Sequence, residues 1–183
     1  MTLLTEPGPM NAWVLLVPTW VAGFLISAAN RRGMARAADM SWYTAADRAA
    51  SFGAMFLMIA AMVLSAFVPM VPGSIWFFAG LPLVAAGAAA HLAARVTYMR
   101  ADAALPATRG VYRLSRNPMY ASWSLVLLGT AISSRSPVLG ALWALMAACM
   151  HLLILGEERY CKGRYGAAYA DYMARVPRYF LFF

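Results

Sequence analysis

The sequence predicts an all-α integral membrane bundle of about five transmembrane helices, and three observations carry that prediction. Apolar residues fill 63% of the 183 positions and charged residues 12%, with a mean hydropathy of +0.64. A soluble domain is about 45–50% apolar and about 25% charged. The apolar residues run in continuous blocks rather than alternating, the pattern of spanning helices and not of a β-barrel. The basic residues, finally, sort almost entirely to one side of those blocks. An ordinary soluble globule, a disordered chain and a collagen-like fibre are excluded. The net charge of +8 follows from membrane topology, so no nucleic-acid partner is expected.

A spanning helix needs about 20 mostly apolar residues. Spans are expected near 11–29, 52–71, 74–94, 118–133 and 137–156. The first block does not read as a cleaved leader. Residues 1–10 carry Glu6 and no Lys or Arg, and Arg31 and Arg32 follow the apolar run as a stop-transfer flank. The second and third blocks are joined by an uncharged stretch with Pro69 and Pro72, a tight turn. The third block is crowded with small residues, among them Gly80, Gly87 and Ala88, which suits close helix packing in lipid. The fourth block is the shortest and is expected to pair tightly with the fifth. Cys149 and Cys161 form neither a disulfide framework nor a metal-ligand spacing, so no metal is expected.

With the N-terminus outside, five spans place Arg31, Arg32, Arg36 and Arg48 on one side. Arg95, Arg100, Arg109, Arg113 and Arg116 fall there too, as do Arg159, Lys162, Arg164, Arg175 and Arg178; only Arg135 falls on the other. The positive-inside rule makes the crowded side cytosolic, with the C-terminus in. The expected location is therefore an inner (plasma) membrane of bacterial type, with any aqueous chemistry at the cytosolic face. The chain reads as a single domain, 1–183. Residues 1–94 are mainly scaffold, and residues 95–183 hold the dense polar motifs around the hairpin of the last two spans.

Two segments break the apolar pattern in a way that suggests chemistry. The first is Gly110-Val-Tyr-Arg-Leu-Ser-Arg-Asn-Pro-Met-Tyr120, entering the fourth span. Pro118 suits the first position of a helix, where a backbone N–H is not needed, and Asn117 suits the N-cap. A helix N-terminus beside Arg113 and Arg116 attracts an anionic group. The second is Gly156-Glu-Glu-Arg-Tyr-Cys-Lys-Gly-Arg-Tyr-Gly166. It places Glu157 and Glu158 at or just past the cytosolic end of the fifth span, where acids oppose the helix dipole. Local rules of this kind are broken most often at functional sites. Beyond it, Tyr165, Tyr169 and Tyr172 fall on one face of a basic amphipathic helix suited to the membrane interface, or to capping a pocket from below.

The order G-x-Y-R-x-x-R-N-P-M-Y, an apolar hairpin, then E-E-R-Y-x-x-x-R-Y-G-x-x-Y-x-x-Y-x-x-R-V-P-R resembles the isoprenylcysteine carboxyl methyltransferase and phospholipid methyltransferase superfamily. The likeness covers about residues 95–180. It implies an integral membrane enzyme that moves a methyl group from S-adenosylmethionine to a lipophilic acceptor, a phospholipid amine or an isoprenylcysteine-like carboxylate or thiol. Arg116, Pro118 and Tyr120 match the R-x-P-x-Y element, and Glu157 and Glu158 the paired acids. Those two elements resemble the family's cofactor-lining segments, and with the residues around them the expected cofactor-binding set is Tyr112, Arg116, Asn117, Pro118, Met119, Tyr120, Glu157 and Glu158. Within it Arg116, Glu157 and Glu158 are the catalytic candidates, with His91, Tyr169 and Arg175 toward the substrate. Asn117 stands where the carboxyl-methylating branch usually has His, and N-P-M-Y resembles the phospholipid branch.

Two rival readings have their own markers. Membrane NADPH-dependent sterol or enone reductases share a similar C-terminal element, but theirs reads N-Y, whereas Met119 precedes Tyr120 here. His91 and His151 lie about 6 and 9 Å along their helices from Arg95 and Glu157. That similar depth would suit axial ligands of a haem in a non-enzymatic protein.

Overall fold

The structure is a computed structural model and describes residues 6–180; part of the 1–10 flank, used above to argue that the first block is not a cleaved leader, lies outside them. The described residues form α1 (Trp13–Ala28), α2 (Arg31–Ala37), α3 (Ala45–Ser65), α4 (Ile75–Arg100), a 3-10 turn (Gly110–Arg113), α5 (Pro118–Ser133), α6 (Pro137–Tyr165) and α7 (Ala167–Arg175). The architecture is all-helical, with no strand among the described residues and one isolated bridge, Asn11 to Pro69.

Each of the five apolar blocks contains a helix, but their lengths differ from expectation. Among the described residues, only α3, α4 and α6 are long and apolar enough to cross a membrane unaided. The pair α1 and α2, bent by 113°, makes a fourth candidate if counted as one span. The α5 helix has 16 residues and is the most enclosed: Pro118, Ser122, Trp123, Val126, Leu127 and Thr130 are all buried.

Three boundaries are corrected. The α3 helix begins at Ala45, not near 52, because Thr44 and Asp47 form a capping box: the Thr44 hydroxyl accepts from the Asp47 N–H, and the Asp47 carboxylate accepts from the Thr44 N–H at 2.9 Å. It ends at Ser65, where the Pro69 turn takes over and the Ala12 N–H donates to the Val68 carbonyl at 2.8 Å. The α6 helix runs on through Glu157 and Glu158 to Tyr165 and stops at Gly166, whose φ of +53° favours glycine. Both acids therefore lie inside the helix, not at its end.

The tightest packing is between α4 and α5. A Cβ on Gly80 would strike the Gly129 carbonyl and Ser133, and one on Gly87 the backbone of Ser122 and Val126. Small residues bring the two backbones together, as the third block predicted. On the outside, α3 exposes Phe52, Met55, Phe56, Ile59 and Val63, as a lipid-facing surface does. At one end of the bundle the polar groups of all these helices converge: Arg36 donates to the Ala101 carbonyl at 3.2 Å, Arg159 pairs with Asp47 at 2.9 Å, and Arg116 with Glu158 at 3.1 Å.

Candidate functional site at the polar end of the bundle

The two polar segments meet. Pro118 occupies the first turn of α5 and Asn117 its N-cap, but the Asn117 side chain does not cap. Its amide donates instead to Glu158 Oε1 and to the Arg178 carbonyl, each at 3.3 Å. Arg116 donates from Nε to Glu158 Oε1 at 3.1 Å and from Nη1 to the Val176 and Met173 carbonyls at 2.6 and 3.0 Å. Arg178 completes the cluster, with Nη2 2.9 Å from Glu158 Oε2. A carboxylate only 3% exposed thus faces two guanidiniums and an amide, the pairing that a buried charge requires. The Glu158 carboxylate also holds the Arg178 guanidinium above its ordinary pKa.

That cluster fastens the C-terminal segment beneath α5. The Arg116 N–H donates to the Pro177 carbonyl at 2.9 Å, and the Ser115 hydroxyl to the Arg178 carbonyl at 2.9 Å. The Tyr172 hydroxyl reaches the Tyr112 carbonyl at 2.6 Å. Gly166 separates Tyr165 from Tyr169 and Tyr172, so the three tyrosines sit on two helices. Tyr169 and Tyr172 are turned inward, and burial pushes both phenols well above their usual range.

The adjacent glutamates divide. Glu157 lines a cavity of about 240 Å³, where the Tyr120 hydroxyl donates to its carboxylate. Glu158 lies behind, in the ion cluster. Tyr112, Arg116, Asn117, Pro118, Met119, Tyr120 and Tyr169 also line the cavity. Two candidates are placed elsewhere. Arg175 is exposed and donates to the Asp171 carbonyl of its own helix at 3.1 Å. His91 is buried between α4 and α5, with Nδ1 3.1 Å from the Met119 carbonyl and Nε2 accepting from Arg95 at 3.4 Å.

His151 lies on the far side of α5. It shares a groove with Tyr120, Ala121, Ser124 and Leu125, whereas His91 contacts Met119 and Ser122. The helix stands between the two histidines, so they do not face one metal or haem. No cluster of three metal-ligating side chains occurs among the described residues.

The opposite wall was not expected. It is built from α2, the connection to α3 and the last turn of α4: Arg36, Asp39, Trp42, Tyr43 and Tyr98. Trp42 stacks on Tyr160 of α6 with centroids 4.8 Å apart and planes 15° from parallel, and the Arg36 guanidinium lies 4.0 Å above the Tyr98 ring. The Asp47–Arg159 pair pins this connection to α6. Gly156 permits the approach, since a Cβ there would strike the Asp47 carboxylate. The available signal was the Trp42-Tyr43 doublet in a polar loop, which resembles an interfacial anchor.

Two polar atoms of this lining are buried without a protein partner: the Tyr112 hydroxyl and Arg36 Nε. Burial raises the Tyr112 phenol well above its ordinary pKa, so it remains an O–H donor. A buried donor left unpaired costs about 1–3 kcal/mol, and such atoms in a cavity wall are suited to a polar ligand.

Comparison with known proteins gives one assignment, to part of the chain. No curated protein and no solved structure matches it. Residues 96–168, less than half of the chain, match the phospholipid methyltransferase family, which lies within the isoprenylcysteine carboxyl methyltransferase and phospholipid methyltransferase superfamily of membrane methyltransferases.

Proposed function

We propose that the protein transfers a methyl group from S-adenosylmethionine to a lipophilic acceptor at the cytosolic end of its bundle. The observation that supports this best is that Glu157 and Tyr120 of the first turn of α5, 37 residues apart, line one cavity directly beneath apolar helices. In this reading five helices cross the membrane with the N-terminus outside, and α7 lies along the cytosolic interface. The one-sided distribution of cations supports that orientation.

The cavity residues fit such a donor. Glu157 can accept hydrogen bonds from ribose hydroxyls or an ammonium group. Tyr112 lines the same cavity, and its hydroxyl has no bond in the protein to break if the side chain turns toward the donor. The N-terminal turn of α5, at Met119 and Tyr120, faces a carboxylate favourably. Trp42, Tyr43, Tyr98 and Tyr160 provide flat apolar surfaces for a purine.

When bound, the donor supplies an activated methyl group on a cationic sulfur. The protein's part is to orient it and to exclude water, so positioning and desolvation supply most of the rate. Arg116 and Glu158 were expected to touch the donor. In the reading proposed here they are positioning residues that fix α5 against α6, and Glu157 makes the contact. Calorimetry with S-adenosylmethionine, followed by labelled methyl transfer into a membrane lipid extract, tests the reading. Binding of NADPH in place of S-adenosylmethionine would overturn it in favour of a reductase.

A further inference from the structure

A second cavity, of about 470 Å³, lies between α5 and α6 on the outside of the bundle. Its wall is apolar over Ala121, Leu125, Trp143, Ala147, Met150 and Ile154. The polar side chains on it fall into two groups. Ser124 is occupied, accepting from Trp143 Nε1 at 2.8 Å. The other group is His151, whose Nδ1 is 2.6 Å from the Tyr179 hydroxyl. Tyr120 lines both this groove and the first cavity, so the two spaces adjoin at that residue.

The His151–Tyr179 pair is unusual for its place. His151 belongs to a helix long and apolar enough to span, and its side chain is exposed on the groove. An ionisable group in such a segment marks a functional site by default. Tyr179 is brought to it by the strap that Arg116, Ser115 and Asn117 hold through the Pro177 and Arg178 carbonyls. In the tautomer whose Nδ1–H donates to the Tyr179 oxygen, Nε2 keeps its lone pair and can act as a base.

We infer that the groove between α5 and α6 holds the acceptor by its hydrocarbon part, and that His151, oriented by Tyr179, receives the proton of a nucleophile that arrives carrying one: an N–H, S–H or phenolic O–H rather than a carboxylate. The inference rests on the methyltransferase reading. The nucleophile's lone pair forms the bond to the methyl carbon, the carbon–sulfur bond breaks with its electron pair left on sulfur, and the nucleophile's proton passes to His151 Nε2. A carboxylate has no proton to give and needs no such base.

The test uses the full chain in lipid nanodiscs, with labelled S-adenosylmethionine and single-tailed amphiphiles ending in an amine, a thiol, a phenol or a carboxylate. Donor affinity is measured by calorimetry for each variant. His151→Gln is expected to bind the donor as the wild type does, yet to lose at least tenfold in kcat at neutral pH, recovering as pH rises and the acceptor deprotonates unaided. Tyr179→Phe, which keeps the imidazole, is expected to lose less, with the same change in pH profile. Ala147→Phe, which fills the groove, is expected to raise KM without altering donor affinity. An unchanged rate and pH profile in His151→Gln, or methylation of the carboxylate amphiphile alone, would overturn the inference while leaving the methyltransferase reading intact. Absence of both donor binding and transfer in the wild type would remove both.

Discussion

Arg116 and Glu158, forty-two residues apart, pair at 3.1 Å with both side chains almost wholly withdrawn from solvent. Glu158 also holds Arg178, so one carboxylate joins the start of α5, the last third of α6 and the C-terminal strap. Removing one member of a buried pair leaves an uncompensated charge and costs about 3–5 kcal/mol. Arg116→Ala and Glu158→Ala are each expected to lower the melting temperature in detergent by several degrees. The double variant is expected to lose less than the sum, and strict additivity would show that the two side chains do not act together.

Glu157 predicts the opposite separation of effects. Because it faces the cavity and takes no part in the ion cluster, Glu157→Gln is expected to keep the wild-type melting temperature while weakening S-adenosylmethionine binding at least tenfold by calorimetry. Equal effects of Glu157→Gln and Glu158→Gln on both readouts would contradict the division of the two acids.

Tyr112 offers a substitution that separates binding from stability. Its buried hydroxyl has no protein partner, so Tyr112→Phe removes an unsatisfied group and is expected to leave stability unchanged or raise it by about 1 kcal/mol. Donor affinity is expected to fall. A loss of stability on deleting the oxygen would mean that it already has a partner.

The helix contacts can be checked at glycines. A Cβ on Gly156 meets the Asp47 carboxylate, whereas one on Gly140 meets nothing. Gly156→Ala is expected to cost about 1–3 kcal/mol by forcing α3 away from α6. Gly140→Ala, an open helical position, is expected to gain up to about 1 kcal/mol. Thermal melts of the two variants should move in opposite directions.

Stability at alkaline pH follows from the buried phenols. Tyr112, Tyr169 and Tyr172 all have pKa values raised above the ordinary 10.0, chiefly by burial. Above pH 10 the unfolded chain ionises these groups before the folded chain does, so the folded state is complete in stability below pH 10 and loses it as pH rises further. Tyr112→Phe should flatten that decline in a series of melts from pH 9 to about pH 11.

How much of this was legible in the sequence varies with the kind of signal. The apolar blocks and the polar interruptions at Arg116–Tyr120 and Glu157–Glu158 announce themselves, because they are departures from lipid-compatible composition. The exit of the fifth block did not. Gly156 followed by two acids reads as arrival in water, yet the helix continues, because Asp47 meets Arg159 and Glu158 meets Arg116 and Arg178 sideways across the bundle. Lateral partners have no signature along a single helix. The Trp42-Tyr43 wall was hidden for a related reason: an aromatic pair near a membrane surface has the same local sequence whether it faces lipid headgroups or a cavity.

The connection that carries Trp42 and Tyr43 precedes the segment shared with the phospholipid methyltransferases. Residues 96–168 therefore lack that wall, together with α3 and most of α4, on which α6 and α5 pack. Swapping the first forty-five residues between related proteins offers a way to retune how long a small molecule stays inside, without touching any residue of the shared segment.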